Sequence, residues 1–330
     1  MADAKKFLIG TSGFAYDDWV GPFYPANLGT QKHEWLGYYA DYFPTLEINS
    51  SYYAMPSEPM VKAWVEKSRG RDIELSLKVP KTVTHEHMVN GDLEAAERDL
   101  QAFLAVTAPL ADEKKRGALL FQLSPFFKFK ETTLDALRDM LADARGAGAT
   151  VAVELRHDSW LDKATGGIQF EAQRILREND APLVTTDGPG FPPLLVNTAS
   201  HAYVRFHGRN RDMWFGRGRS RDREEEPERF LAFRTTHAGG LDEDHDEARD
   251  DAPMAGERMN RYDYLYNETE LAPWAKRLKE AARQAGPVRV YFNNHPVGKA
   301  PKNALQFMDM LGVPHKAKEI RIQSQGRLDV

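Results

Sequence analysis

The chain has 330 residues, a net charge of −5, 42% hydrophobic and 28% charged residues, and no cysteine. That composition supports a large buried core. It excludes disulfides, cysteine-ligated iron–sulfur clusters and cysteine-based zinc sites, and it carries no global basic excess for duplex DNA. The length fits a single α/β barrel domain, 1–330, because such barrels exceed 250 residues without splitting. The segment from Met1 to Gly13 holds only the apolar run Phe7-Leu8-Ile9, too short for a secretory signal. No apolar stretch reaches the roughly 18 residues of a membrane span, so the expectation is a cytoplasmic protein with no membrane partner.

From the N-terminus, short β-rich runs lie at 7–11, 45–49, 73–79, 118–122, 151–156, 182–187, 202–207 and 288–293. They alternate with amphipathic stretches at about 32–42, 57–68, 93–108, 130–147, 168–179, 268–285 and 299–312. Alternating β and α segments predict a parallel sheet with right-handed crossovers, and eight strands predict a TIM-type (β/α)8 barrel. A doubly wound open sheet is the competitor, but its dinucleotide-binding form needs a Gly-x-Gly-x-x-Gly turn after the first strand, which is missing. Thr132 or Thr133 is placed to cap the fourth helix, Gly146 and Gly148 punctuate its end, and Gly286-Pro287 stops the helix before the last strand.

After strand seven the rhythm breaks. A charged insertion over 209–261 contains Gly216-Arg217-Gly218-Arg219-Ser220-Arg221-Asp222-Arg223 and an acidic stretch from Leu241 to Asp251. It is long for a connection in a compact domain, and its composition reads as a lid or a solvated insertion. The run Asp242-Glu243-Asp244-His245-Asp246-Glu247 reads as solvated loop rather than a ligand cage.

Residues two apart on a strand share a face. Glu47 and Asn49 therefore point one way on strand two, Ser76 and Lys78 on strand three, and Glu154 and Arg156 on strand five. Tyr203, Arg205 and His207 share a face of strand seven, and Arg289, Tyr291 and Asn293 one of strand eight; strands four and six end in Gln122 and Asp187. The other faces are apolar and suit a helical layer. A barrel interior is normally filled with Val, Ile and Leu, and an unpaired buried charge costs several kcal/mol. Charges turned inward at the same end of nearly every strand must be paired with one another, as Glu47 and Glu154 can be with Lys78, Arg156 and Arg205, or must form a site at the barrel's C-terminal mouth.

Strand one is followed by an aromatic loop with Phe14, Tyr16, Trp19, Phe23 and Tyr24, and with Gly13 and Gly21 for tight backbone paths. It can plug the barrel or stack on a sugar or base. His85, His157 and His207 fall at or just past strand ends. With Glu47, Glu154 and Asp187 they suit zinc, manganese or magnesium by ligand type. No His-Glu-x-x-His occurs and nearby cations compete for the carboxylates, so no metal ligand is assigned and a divalent metal is not favoured; the cofactor is unknown. No Gly-x-Ser-x-Gly elbow and no P-loop occur, which disfavours the corresponding acyl-transfer and nucleotide-hydrolysis chemistries.

The chain resembles the YecE-like family, catalogued as domain of unknown function 72, from about Leu8 to Leu311. The resemblance is carried by Gly10-Thr11-Ser12-Gly13 with Trp19 and Phe23-Tyr24-Pro25, by Glu47-Ile48-Asn49-Ser50-Ser51-Tyr52-Tyr53, and by Leu77-Lys78-Val79-Pro80 with Thr84-His85. It continues in Leu120-Phe121-Gln122-Leu123, Glu154-Leu155-Arg156-His157 with Ser159-Trp160, Arg205-Phe206-His207-Gly208-Arg209 and Tyr291-Phe292-Asn293-Asn294. It implies a TIM-type barrel and brings no established activity. Ser124 departs from the family's more usual proline, and the stretch from about Arg211 to Arg258 is longer and more charged than the family core; the pattern resumes at Tyr262-Asp263-Tyr264-Leu265-Tyr266.

The expected function is an enzyme binding a small anionic substrate, such as a phosphorylated sugar or nucleotide, by acid/base chemistry, with hydrolase, lyase and isomerase reactions open. Its catalytic candidates are Glu47, Asn49, Lys78, Glu154, Arg156, His157 and His207. Its substrate-binding candidates are Ser12, Tyr16, Trp19, His85, Gln122, Trp160, Asp187, Arg205, Asn293 and Asn294. One alternative is a nucleic-acid binder or metal-dependent nuclease, using the Arg-rich run and the aromatic loop. Another is a non-catalytic ligand-binding or scaffold protein.

Overall fold

The structure, a computed structural model, describes residues 6–210, 261–284 and 286–322. The expected insertion over 209–261 therefore lies almost wholly outside the described residues, as do its Arg-rich run and acidic stretch. Eight principal strands follow in chain order: β1 (Phe7–Thr11), β2 (Thr45–Ile48), β3 (Glu74–Lys78), β4 (Arg116–Gln122), β5 (Thr150–Glu154), β6 (Thr185–Asp187), β7 (Ala202–Phe206) and β8 (Val288–Phe292). They form two parallel four-stranded sheets, ordered β1-β8-β7-β6 and β2-β3-β4-β5. Isolated parallel bridges pair Ser12 with Glu47 and Val153 with Leu183, linking one sheet to the other at both edges.

The principal helices are α1 (Trp35–Ala40), α2 (Glu58–Ser68), α3 (Leu93–Val106), α4 (Glu131–Gly146), α5 (Phe170–Glu178), α6 (Glu268–Gln284) and α7 (Lys299–Leu311). Their ends follow capping chemistry. Ser57 Oγ accepts from the Met60 N–H, Asp92 from the Ala95 N–H, and Gly312 closes α7 at φ 71°. Two expected boundaries change. Thr133 lies inside α4 and its hydroxyl accepts from the Lys130 N–H, so Lys130, not a threonine, holds the N-cap position. Helix α5 starts at Phe170, because Gly167-Ile168 pairs antiparallel with Leu161-Asp162. Strand β6 is also shorter than expected: Pro182 has no N–H to give a ladder, and the Leu183 N–H is taken by Thr198 Oγ1.

One face of each strand packs under the helices in a continuous apolar core that includes Ile9, Leu46, Leu75, Phe121, Val153, Phe206 and Phe292. The opposite faces meet in a second, smaller cluster of Ala118, Leu120, Ala152, Val184, Tyr203 and Tyr291. Polar contacts cross from sheet to sheet through it: the Tyr291 hydroxyl donates to Ser76 Oγ at 2.8 Å, and Arg289 forks onto Glu74 at 2.6 and 3.0 Å. At Gly10, on β1, a Cβ would overlap the carbonyl oxygen of Thr45, which is backbone and cannot swing away. Gly10→Ala should destabilise the fold by about 1–3 kcal/mol, the range for forced overpacking; a lowered denaturant midpoint at unchanged slope checks it.

Candidate functional site

Parallel register brings the polar strand ends together. Gln122 and Glu154 are direct partners on β4 and β5, so their side chains leave the sheet side by side. On β7, Tyr203 and Arg205 are two apart and turn the same way. Arg205 is 1% exposed and reaches across both sheets. Its Nη1 donates to Glu154 Oε2 at 2.6 Å and to Gln122 Oε1 at 2.8 Å, and its Nη2 donates to Glu47 Oε1 at 2.8 Å. Glu47, with no exposed surface, also accepts from Ser12 Oγ and from the Tyr203 hydroxyl, each at 2.5 Å. Burial by itself would lower the Arg205 pKa, but the two carboxylates outweigh it and hold the guanidinium above its ordinary value. Burial, then the Glu47 charge, pushes the Tyr203 hydroxyl up, so it remains a donor.

Above this cluster lies a cavity of about 200 Å³. It is lined by Asn49, Lys78, Gln122, Glu154, Arg156, Arg205, His207 and Asn293 among the expected residues. Each reaches it for a local reason. The short helical turn Ser50–Tyr53 after β2 sets the Tyr52 ring 4.3 Å from Lys78 Nζ, a cation–π contact. Just past β7 and β8, the Asn293 N–H continues the ladder to the Phe206 carbonyl. That places Asn293 Nδ2 3.1 Å from His207 Nδ1. An amide N–H donating there leaves the proton of a neutral His207 ring on Nε2. Arg156 lies two residues beyond the end of β5 yet still lines the cavity.

The other expected residues lie elsewhere. Tyr16 stacks on His295 at 4.5 Å, and Trp19, wholly buried, donates to the His295 carbonyl at 2.7 Å. With Phe23 and Tyr24, also wholly buried, they form an aromatic plug. Trp160 is likewise buried and donates to the Phe127 carbonyl. Asp187 accepts from Arg209 Nε and Nη2, the Tyr266 hydroxyl and Trp274 Nε1. Burial raises that carboxyl, but these donors overcome it and hold it below its usual range. Asn294 donates to the Tyr264 carbonyl and to Asn303. His85 sits beside Thr84 and edge-on to Tyr52, while His157 contacts Ser159 and Asp158. Burial lowers the His157 pKa against the pull of Asp158. The three histidines therefore do not share one site, and among the described residues no three of His, Asp and Glu gather as a metal-holding group.

Thr186, Phe191 and Tyr262 line the cavity and were not expected there. They lie on a short strand and on connections, where no periodicity reports direction. His295 was also missed. It is buried with neither ring nitrogen partnered among the described residues, and burial lowers its pKa to about 4. Its place directly after Asn293-Asn294 was the one available signal.

No described helix is long and apolar enough to cross a membrane. The family model described as "Protein of unknown function DUF72" matches residues 8–326. The UPF0759 protein YunF of Bacillus subtilis (strain 168) is 25% identical over 322 residues, covering 93% of this chain and 95% of that protein. A DUF72 family structure from Thermotoga maritima MSB8 has a TM-score of 0.67 at 30% identity, covering 93% of this chain and 99% of the other. One from Enterococcus faecalis V583 has a TM-score of 0.67 at 23% identity, covering 96% and 99%, and shows likeness of fold.

Proposed function

Since the chain belongs to the DUF72 family, whose function is unknown, we propose from the site alone that it is an enzyme acting on a small anionic substrate, held where the strands end. We further propose that the two sheets close into one (β/α)8 barrel domain around that site. The observation that carries the reading is the set of cationic side chains gathered at one cavity. Lys78, Arg156 and Arg205 line it together with Glu154, and Glu47 lies beneath, paired with Arg205. Arg205 is committed to both carboxylates, and Lys78 and Arg156, which line the same cavity, would face the anion.

Acid/base work falls to Glu154, whose carboxylate borders the cavity while Arg205 orients it, and to His207, oriented by Asn293. Glu47 and Ser12 are positioning residues beneath them. Gln122 and Asn49 would orient substrate. Tyr16, Trp19, His85, His157, Trp160, Asp187 and Asn294 would act at a distance, by holding the walls.

A thermal-shift panel of divalent metals, sugar phosphates, nucleotides and short oligonucleotides tests the reading. A ligand that binds only the folded state at a hundredfold excess over its Kd stabilises by about 2.7 kcal/mol. The expected result is a raised midpoint with a small phosphorylated class, lost in Arg156→Ala. A shift with oligonucleotides alone would favour the nucleic-acid reading, and none at all a non-catalytic scaffold.

A further inference from the structure

Three buried polar atoms on residues that line the cavity make no hydrogen bond among the described residues: Asn49 Oδ1, Asn293 Oδ1 and Arg205 Nε. Their residues are 4%, 4% and 1% exposed, and all three line the same cavity. A buried polar group left unmade is costly, and most such groups in folded proteins are satisfied. Three around one small space describe what that space should contain. Two are acceptors that need a donor. The third is a donor that needs an acceptor.

We propose that this cavity takes a small anionic polyol, its hydroxyls meeting Asn49, Asn293 and Arg205 Nε and its phosphate or carboxylate meeting Lys78 and Arg156. This rests on the anion-site reading above and names the substrate class. A hydroxyl both donates and accepts, so a run of adjacent hydroxyls serves all three atoms, whichever way each amide is turned. An alkyl chain would bury the same atoms unsatisfied. The volume, about 200 Å³, lies below the roughly 300–1,000 Å³ of sites for drug-sized ligands. It fits a short carbon chain rather than a nucleotide.

The test is calorimetric titration of the full chain with four probes: erythritol 4-phosphate against n-butyl phosphate, and erythronate against butyrate. Each pair keeps carbon count and anion and differs in hydroxyls. The two pairs separate phosphate from carboxylate as the anion. The expected result is that one polyol member binds about tenfold or more tighter than its alkyl partner, as for hydrogen bonds to groups otherwise left unmade. In Asn49→Ala that advantage should shrink to about threefold or less; Asn293→Ser serves as a second variant if the first does not fold. Equal binding within each pair overturns the polyol inference and leaves the anion site standing. An advantage undiminished in both variants overturns the assignment to these asparagines. No binding by any probe overturns both readings.

Discussion

Arg205→Leu is expected to lower the unfolding free energy by about 3–5 kcal/mol, the cost of removing one partner from a buried ion pair. Leucine fills part of the space but leaves two carboxylates inside the protein. Glu47 would keep the Ser12 and Tyr203 hydroxyls, 2.5 Å away; Glu154, only 5% exposed, would lose its 2.6 Å contact. The penalty comes from uncompensated charge more than from lost attraction, because buried pairs roughly break even against apolar replacements. Arg205→Leu combined with Glu47→Gln and Glu154→Gln should therefore recover most of the loss. Denaturant midpoints for the single and triple variants check this. A single variant costing less than about 1 kcal/mol would show that water reaches the cluster and screens it.

The same cluster shows how far the sequence could be read. Period-two alternation turned Glu47, Lys78, Glu154, Arg205 and Asn293 to one side, and a pairing of Glu47 and Glu154 with nearby cations was among the expectations. Alternation fixes a face and a height, not a partner. That Arg205 takes both carboxylates depends on strand register, which no single segment contains. The α/β class with parallel sheets was legible because each strand is a short β-rich run bounded by a helix pattern. Strand β6 blurred because Pro182 and a side-chain acceptor shorten its ladder. Arg156 was assigned to a strand that ends at Glu154. His85, His157 and His207 all follow strand ends in sequence, yet of the three only His207 lines the cavity, because the connections carry His85 and His157 elsewhere. Tyr262 and His295 sit past strand ends, where period-two reasoning stops.

His295 and His201 lead to the second large expected effect: stability should fall as pH drops from about 6.5 to about 4. Burial lowers both to about 4 from an ordinary 6.5, and at His201 the Arg289 charge adds to it. Below 6.5 the unfolded chain takes up protons that the folded chain refuses. The stabilisation is thus complete above 6.5, is lost through the window, and levels off below 4. Each histidine can contribute about 3 kcal/mol across that span. Asp187 and Asp180 have pKa values below 3.8, so their losses begin under the window. Arg289 donates to His201 Nδ1 at 3.3 Å, so that ring is held neutral by a specific partner. Among the described residues His295 has no such partner, and the Tyr16 ring stacks on it at 4.5 Å with the Tyr262 ring at 5.5 Å. His295→Phe keeps an aromatic surface and removes two buried nitrogens that make no hydrogen bond among the described residues. It should leave stability at pH 7 unchanged or higher by about 1–3 kcal/mol, and roughly halve the loss between pH 6.5 and 4. Urea denaturation at half-unit pH intervals measures both. An unchanged slope in His295→Phe would mean that the folded protein protonates this ring freely, and that its surroundings open to water on the acid side.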